Sequence, residues 1–188
     1  MANYTIIADI GNAIVQRLRD HLVPSIIINT ENIGLCTPGD RGDILLGVNL
    51  YDIKENQDIV VTDMSPKGEK QLKYPSTFYD LYYMITAYST SDIKFRAAED
   101  QKILGKVLQV LKDYPSFTAE QLGSELAGSR FVPRIELLQL EQEEKMKLWN
   151  VPNVPYRLSL FYKVYPVEIE STRVKEITRV VEFTVRDS

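Results

Sequence analysis

The side chains that most often do chemistry are scarce in this sequence. Histidine, the usual acid–base and metal-binding residue, occurs once, as His21, and cysteine occurs once, as Cys36. A conventional zinc site needs about four clustered ligands, which these two residues cannot supply. A catalytic Cys–His pair has no sequence support, because Cys36 is followed by Thr-Pro-Gly and lies in no cysteine-enzyme signature. We expect His21 to end the first helix, where partial positive charge is favoured.

The segment Gly39–Asp43, GDRGD, resembles a calcium or adhesion loop only superficially. It lacks the alternating carboxylates and terminal glutamate of an EF-hand, so we interpret it as a tight turn that enters a strand. No GxGxxG, GxxxxGK[ST] or GxSxG pattern occurs, and nothing singles out a catalytic pair among the 26 acidic residues. The sequence therefore predicts no catalytic residue, no cofactor and no metal site, and a protein that is not an enzyme.

Charge and hydropathy limit the expected partners and compartment. The chain has 22 basic and 26 acidic residues, a net charge of −4, and no basic stripe for nucleic acid phosphates. Its N-terminus lacks the basic and long apolar regions of a signal peptide, and no apolar run approaches the roughly 18 residues of a membrane-spanning helix. A lone cysteine fits a reducing cytoplasm. We expect no nucleic acid and no membrane as partners, and folding in the cytoplasm.

Helical spacing of apolar residues predicts two long helices. The first ends before Pro24, and its apolar face consists of Ile7, Ile10, Ile14, Leu18 and Leu22. The second is capped by Thr90 or Ser91 and runs to about Tyr114. Its apolar stripe consists of Ala97, Leu104, Val107, Leu108 and Leu111. A short helical turn at 119–126 and a charged helix at 141–149 complete the helical prediction.

Runs of β-branched and aromatic residues predict the strands. They are expected at Ser25–Asn29, Ile44–Ile53, Phe78–Tyr88, Ile135–Leu140, Tyr156–Val167 and Val174–Val185. The last two lie close enough in sequence for an antiparallel hairpin. Asn29–Asp43 is interpreted as a loop, and the polar segment Lys54–Tyr74 as an arm with room for a short strand at Asp58–Thr62.

The order of these elements predicts an α+β fold with partly segregated strands and helices. We expect a single domain over residues 1–188, in which one mainly antiparallel sheet carries helices packed on one face. The arm at 54–74 should project from this domain.

Tyrosine is the most informative residue type, with 11 residues against 6 phenylalanines and a single tryptophan. Tyrosine gives a large contact area and tolerates partial wetness, which suits interfaces. In the strand Phe78–Tyr88 one face is apolar and should enter the core; it consists of Tyr79, Leu81, Tyr83, Ile85 and Ala87. On the other face we predict a subunit interface at Tyr82, Met84 and Tyr88, unless a second layer covers them.

Three segments, in order, carry a resemblance to a known family. They are IIADIGNAIVQRLRDHL, then YPSTFYDLYYMITAYS with AAEDQKILGKVLQVLKDYPSF, and then EEKMKLWNVPNVPYRLSLFYKVYPVEIES. Together they cover the chain from about Ile6 to Ser171. They resemble the tail-terminator, or cap, proteins of phage-tail-like contractile injection systems of the antifeeding-prophage type. The specificity lies in the ordered set, because no single motif is diagnostic.

The resemblance implies a phage tail-terminator-like fold and a structural role without catalytic residues. Such proteins form a hexameric ring on the end of the inner tube far from the baseplate. They terminate tube and sheath polymerisation and join sheath to tube. The expected partners are therefore identical subunits, the terminal inner-tube ring and the terminal sheath ring, in a particle assembled in the cytoplasm and released. The alternatives are another ring or adaptor component of the particle, or a small-ligand-binding domain.

A cap must pair the last strands of a polymer without offering new ones. We expect that role at the final strand, Val174–Val185, and at the arm, Lys54–Tyr74, because strands of a neighbouring chain can be added at exposed edges.

Overall fold

The computed structural model describes residues 4–68, 70–118, 120–122, 131–149 and 152–176. Its helices are α1 (Ile6–Leu22), α2 (Ile93–Asp113) and α3 (Gln142–Leu148), with a 3₁₀ turn at Thr30–Asn32. Its strands are β1 (Ile33–Leu35), β2 (Leu46–Glu55), β3 (Ser65–Pro66), β4 (Gln71–Lys73), β5 (Thr77–Ala87), β6 (Arg134–Leu137), β7 (Ser159–Ile169) and β8 (Val174–Glu176).

Five strands form the main sheet in the order β1-β2-β5-β7-β6. All neighbours are antiparallel except β1 and β2, which run parallel. The central strand β5 opposes β2 through pairs such as Val48 with Ile85, and β7 through pairs such as Tyr83 with Tyr162. The prediction of an α+β fold with a mainly antiparallel sheet is confirmed.

A second sheet has three short strands in the order β3-β4-β8. The predicted hairpin between the last two strands is wrong, because β7 pairs with β5 and β6 whereas β8 pairs with β4. The connection between them carries the chain away from the main sheet, and Tyr74 N donates to Arg173 O at 3.1 Å. Beyond Glu176, the predicted strand Val174–Val185 lies outside the described residues.

The two long helices cover one face of the main sheet. Ile10, Ile14 and Leu18 of α1 are fully buried in this core, as the helical spacing predicts. In α2 the buried stripe consists of Ile103, Leu104, Val107, Val110 and Leu111. Ala97 is exposed and Leu108 is partly exposed, so the predicted stripe was misplaced at these two positions.

The start of α2 also differs from the prediction. Asp92 caps the helix by accepting a hydrogen bond from Lys94 N at 3.1 Å. The predicted cap at Thr90 or Ser91 is wrong, because the Ser91 hydroxyl instead donates to the carboxylate of Glu99. The helix ends before Tyr114, close to the expected position.

A buried arginine joins α1 to the segment that follows α2. Arg17 is 4% exposed and donates to the carbonyl oxygens of Tyr114 and Ser116, the latter at 2.8 Å. Its guanidinium also lies 4.3 Å from the centroid of the Phe117 ring. The side chain therefore satisfies carbonyl groups near the carboxyl end of α2 that the helix itself leaves unpaired.

Local hydrogen bonding explains two strand predictions that were wrong. Ser25–Asn29 is irregular: the N–H groups of Ile26 and Ile27 both donate to Leu22 O, at 2.9 and 3.1 Å. Asp58–Thr62 is also not a strand, because Asn56 Oδ1 accepts the N–H groups of Asp58 and Ile59. Both segments bond to preceding residues instead of to a neighbouring strand.

The predicted loop Asn29–Asp43 contains the 3₁₀ turn and β1, and Ile33 is fully buried beside β2. The predicted strand Ile135–Leu140 is shorter, at Arg134–Leu137. Most of the predicted helical turn at 119–126 lies outside the described residues.

Candidate assembly interface

The second face of the main sheet carries its own layer. Met84 and Tyr88 are each 2% exposed and form a small core with Trp149 and Phe161. Trp149 lies at the end of α3, and its indole N–H donates to Val154 O at 3.3 Å. Met84 and Tyr88 are therefore covered by a second layer within the chain as described, which is the alternative that the sequence left open. That either residue contacts another subunit stays a prediction.

The absence of a side chain at Gly47 gives Tyr88 room to pack. A Cβ at this position would lie 2.5 Å from the sulfur of Cys36 and 3.1 Å from Tyr88 Cε2. Burial raises the pKa of the Cys36 thiol and also that of Tyr88, so both are held in the neutral form. Cys36 is thus a packing residue between a strand and the second core.

Tyr82 differs from the other two predicted interface residues because its side chain is only half-buried. Its ring centroid is 6.1 Å from that of Tyr51, and Lys54 Nζ lies 5.1 Å from the Tyr82 centroid. Partly exposed tyrosine rings are enriched at protein interfaces. That Tyr82 contacts another subunit stays a prediction.

Beside Tyr82, an acidic residue sits within the sheet. Asp80 is 6% exposed; its carboxylate binds Lys163 Nζ at 2.7 Å and accepts a hydrogen bond from Asn56 Nδ2, also at 2.7 Å. Burial lowers the pKa of Lys163, but the hydrogen bond and charge of Asp80 outweigh this effect and raise it. We call Lys54, Asp80, Tyr82 and Lys163 together the Tyr82 patch.

The sequence pattern did not predict the pair of Asp80 and Lys163. The available signal was Asp80 itself, a carboxylate inside an otherwise aromatic strand, which should have required a buried partner. Lys163 lies opposite Tyr82 in the register of β5 and β7. Asp80 is two residues before Tyr82 on the same face of β5, so aligning the two strands would have placed Asp80 and Lys163 close together.

The second sheet, β3-β4-β8, is here called the arm sheet. All of its residues are exposed or half-buried. Lys73 forms an ion pair with Glu170, and Arg173 stacks over Tyr74 with its guanidinium carbon 4.3 Å from the ring centroid. A sheet with no buried face is marginally stable by itself. The arm sheet brings together the two segments for which strand exchange is predicted.

The residues with catalytic potential have structural contacts. His21 Nδ1 lies 2.8 Å from Arg17 O, and the His21 ring packs against Tyr114. Within the described ranges, no group of three metal-binding side chains occurs. None of the helices in those ranges has the length and hydropathy to cross a membrane.

Comparisons with known proteins agree with the fold. A family model, the Pvc16 N-terminal domain, matches residues 9–182. Among solved structures, the chain is similar to the sheath/tube terminator of the PVC extracellular contractile injection system in its extended state. The identity is 20% and the TM-score 0.61, over 100% of this chain and 65% of that chain. It is also similar to the anti-feeding prophage cap, a tube-terminating cap, with 18% identity and a TM-score of 0.63 over 96% of this chain and 61% of that chain.

A search of curated proteins finds no match. This chain spans less than two thirds of the length of either solved structure. At these identities the likeness shows a shared fold, and it confirms the tail-terminator-like fold that the sequence resemblance implies.

Proposed function

Because the chain belongs to the Pvc16 N-terminal domain family, we propose that it is a structural cap subunit of a contractile injection particle. In this role a ring of subunits closes the end of the particle far from the baseplate, terminates the inner tube and the sheath, and joins one to the other. The observation that carries the proposal is the family match over residues 9–182. The terminator fold, shared along the whole chain, supports it.

A closed hexameric ring needs two different surfaces on each subunit, since neighbours meet head to tail. The Tyr82 patch supplies one candidate surface, with a half-buried ring beside charged side chains. We assign one side of the contact between subunits to the Tyr82 patch. The arm sheet offers a separate surface for another partner, because β8 pairs with β4 on one edge and has no strand on its other edge in the described part of the chain.

The partners in this proposal are the terminal ring of the inner tube and the terminal ring of the sheath. A strand from the last sheath ring would add to the free edge of β8 and extend the arm sheet to four strands. Pairing there would bury backbone groups that otherwise form a template for further addition. Assembly takes place in the cytoplasm, and the subunit leaves the cell within the particle.

Electron microscopy of particles made with and without this protein tests the proposal. We expect particles of uniform length with a closed end when the protein is present, and particles of uncontrolled length with open ends when it is missing. Normal lengths and normal ends in its absence would contradict the cap function. A label on the protein that appears at the baseplate would instead identify another ring or adaptor component.

A further inference from the structure

Beside Tyr88 lies a cavity of about 360 Å³ that the packing of the second core leaves open. Its walls come from two loops, 38–42 and 153–157, which are far apart in sequence. Each loop contributes one arginine to the cavity. The guanidinium carbon of Arg41 is 4.9 Å from the centroid of the Tyr88 ring, and that of Arg157 is 5.5 Å from the same centroid. The aromatic ring of Tyr88 therefore lies beside two arginine side chains at the same cavity.

Within the described residues, both guanidiniums keep unused donors. Arg41 donates from Nη1 to the carbonyl oxygens of Gly42 and Ile44, at 3.4 and 3.1 Å. Arg157 donates from Nη1 to Asp100 Oδ2 at a long 3.5 Å. An arginine has five N–H donors in a planar fork, and the described contacts of each residue involve Nη1 alone. The remaining nitrogens can bind an oxygen ligand with two parallel hydrogen bonds.

The charges around the cavity favour a weakly charged anion. Asp40 lines the same cavity, and Asp100 contacts Arg157, so two carboxylates already offset the two arginines. A singly charged carboxylate can replace the long contact to Asp100 with short bidentate hydrogen bonds. A doubly charged phosphate would meet stronger repulsion from the same two aspartates.

We propose that the arginine pocket, formed by Arg41, Tyr88 and Arg157, binds the carboxylate of an aspartate or glutamate on a peptide segment of another protein subunit. The volume is at the lower end of the range for ligand sites and suits one or two side chains. Stacking on Tyr88 holds both guanidiniums in place and lowers the entropy lost on binding. That the segment belongs to a particle subunit rests on the proposed cap function, whereas carboxylate binding does not.

Titration of the full-length, ¹⁵N-labelled chain followed by NMR tests the pocket directly. The probes are acetyl-Ala-Asp-amide, which carries one carboxylate, the neutral acetyl-Ala-Asn-amide, and inorganic phosphate. We expect saturable shifts of the arginine Nε–Hε signals with the acidic dipeptide at millimolar concentration, and weaker binding of the other two. Arg157→Gln should weaken dipeptide binding about tenfold through loss of a charge-assisted, bidentate contact. Arg157→Lys keeps the positive charge but loses the bidentate geometry, so it should restore only part of the lost affinity.

Arg173→Gln is the matched control, because Arg173 also stacks on a tyrosine, Tyr74, but does not line this cavity. It should bind the dipeptide like the unmodified chain. Equal binding of the acidic and neutral dipeptides, tighter binding of phosphate, or unchanged binding by a folded Arg157→Gln variant would overturn the proposal. Because Arg41 also holds its own loop, Arg157 is the deciding position. These outcomes do not depend on particle length, so the pocket and the cap function can fail independently.

Discussion

Cys36 and Tyr88 both lie over the bare backbone of Gly47, and one added methyl group would disturb both. Gly47→Ala places a Cβ 2.5 Å from the Cys36 sulfur, so either the strand or the thiol must move. We expect a loss of about 1–3 kcal/mol in the free energy of unfolding, as for other overpacked cores, measured by urea denaturation.

Gly105 provides the matched control. It lies inside α2, and a Cβ there would meet nothing within 4 Å. Gly105→Ala should stabilise the protein by roughly 0.5–1 kcal/mol, because alanine loses less backbone entropy in a helix. Equal effects of the two substitutions would contradict the close packing at Gly47.

Asp80 and Lys163 form an ion pair that is largely removed from water. If either side chain is truncated, the charge of the other stays buried without its partner, which costs free energy. Asp80→Ala or Lys163→Met alone should destabilise by about 2–4 kcal/mol, whereas the double variant should lose much less than the sum. A double-mutant cycle by chemical denaturation measures the coupling. Additive effects would show that the 2.7 Å contact contributes nothing.

At the scale of elements, Glu99 connects the end of β5 to the start of α2. The Ser91 hydroxyl, and next the Ser89 hydroxyl, donate to its carboxylate and lower its pKa below the ordinary 4.5. A depressed carboxylate pKa stabilises the fold above pH 4.5, and this contribution is lost as the pH falls through the folded-state pKa. Glu99→Gln should therefore be less stable than the unmodified chain at pH 7, and the difference should shrink in acid.

Denaturation curves between pH 7 and about pH 3 check this dependence. Glu143→Gln is the control, since Glu143 is exposed and pairs across one turn of α3 with Lys147. A stability difference for Glu99→Gln that persists unchanged at the acid end would show that the two serine contacts do not depend on charge.

The arm sheet can be tested as an element. Asn56 must be retained because it holds Asp80, so we would replace residues 60–73 with a short Gly-Ser linker. The main sheet should stay folded, while capping of particles should fail, because β8 loses its only described partner, β4. Particles of normal length with closed ends would contradict the role of the arm in joining the sheath. Circular dichroism controls for folding.

The elements show what a sequence pattern can and cannot predict. Alternation located β5 within one residue of its ends, and helical spacing identified the buried face of α1, because both signals are local. A cover over Met84 and Tyr88 was left open, but its source was not predicted, since it comes from Trp149, more than sixty residues later in the chain. The pairing of β8 with β4 was missed for the same reason: the register between distant short strands leaves no periodic signal.

For the whole molecule, the proposed ring makes oligomeric state the decisive property. We expect the purified chain to reach six copies of the 21.6 kDa subunit in native mass spectrometry or light scattering as concentration rises. Tyr82→Ala should shift the population towards monomer, because it removes the half-buried ring of the Tyr82 patch.

Tyr79→Ala is a suitable control, since Tyr79 is a half-buried tyrosine of the same strand on the opposite face. It should leave the assembly unchanged. A chain that stays monomeric at every concentration would contradict a self-assembled ring, and equal assembly of the Tyr82 variant would remove that residue from the interface.

The central place of β5 also has a consequence for synthesis at the ribosome. Its partner β2 is made before it, but β7, which pairs along its other edge, emerges only after α2, β6 and α3. Nascent chains therefore hold β5 with one edge unpaired for several seconds, at translation rates of roughly 5–20 residues per second. Until β7 arrives, the edge is open to other nascent copies of the same protein. Slowing translation between α2 and β7 should thus lower the yield of soluble subunit, without any change in its amino acids.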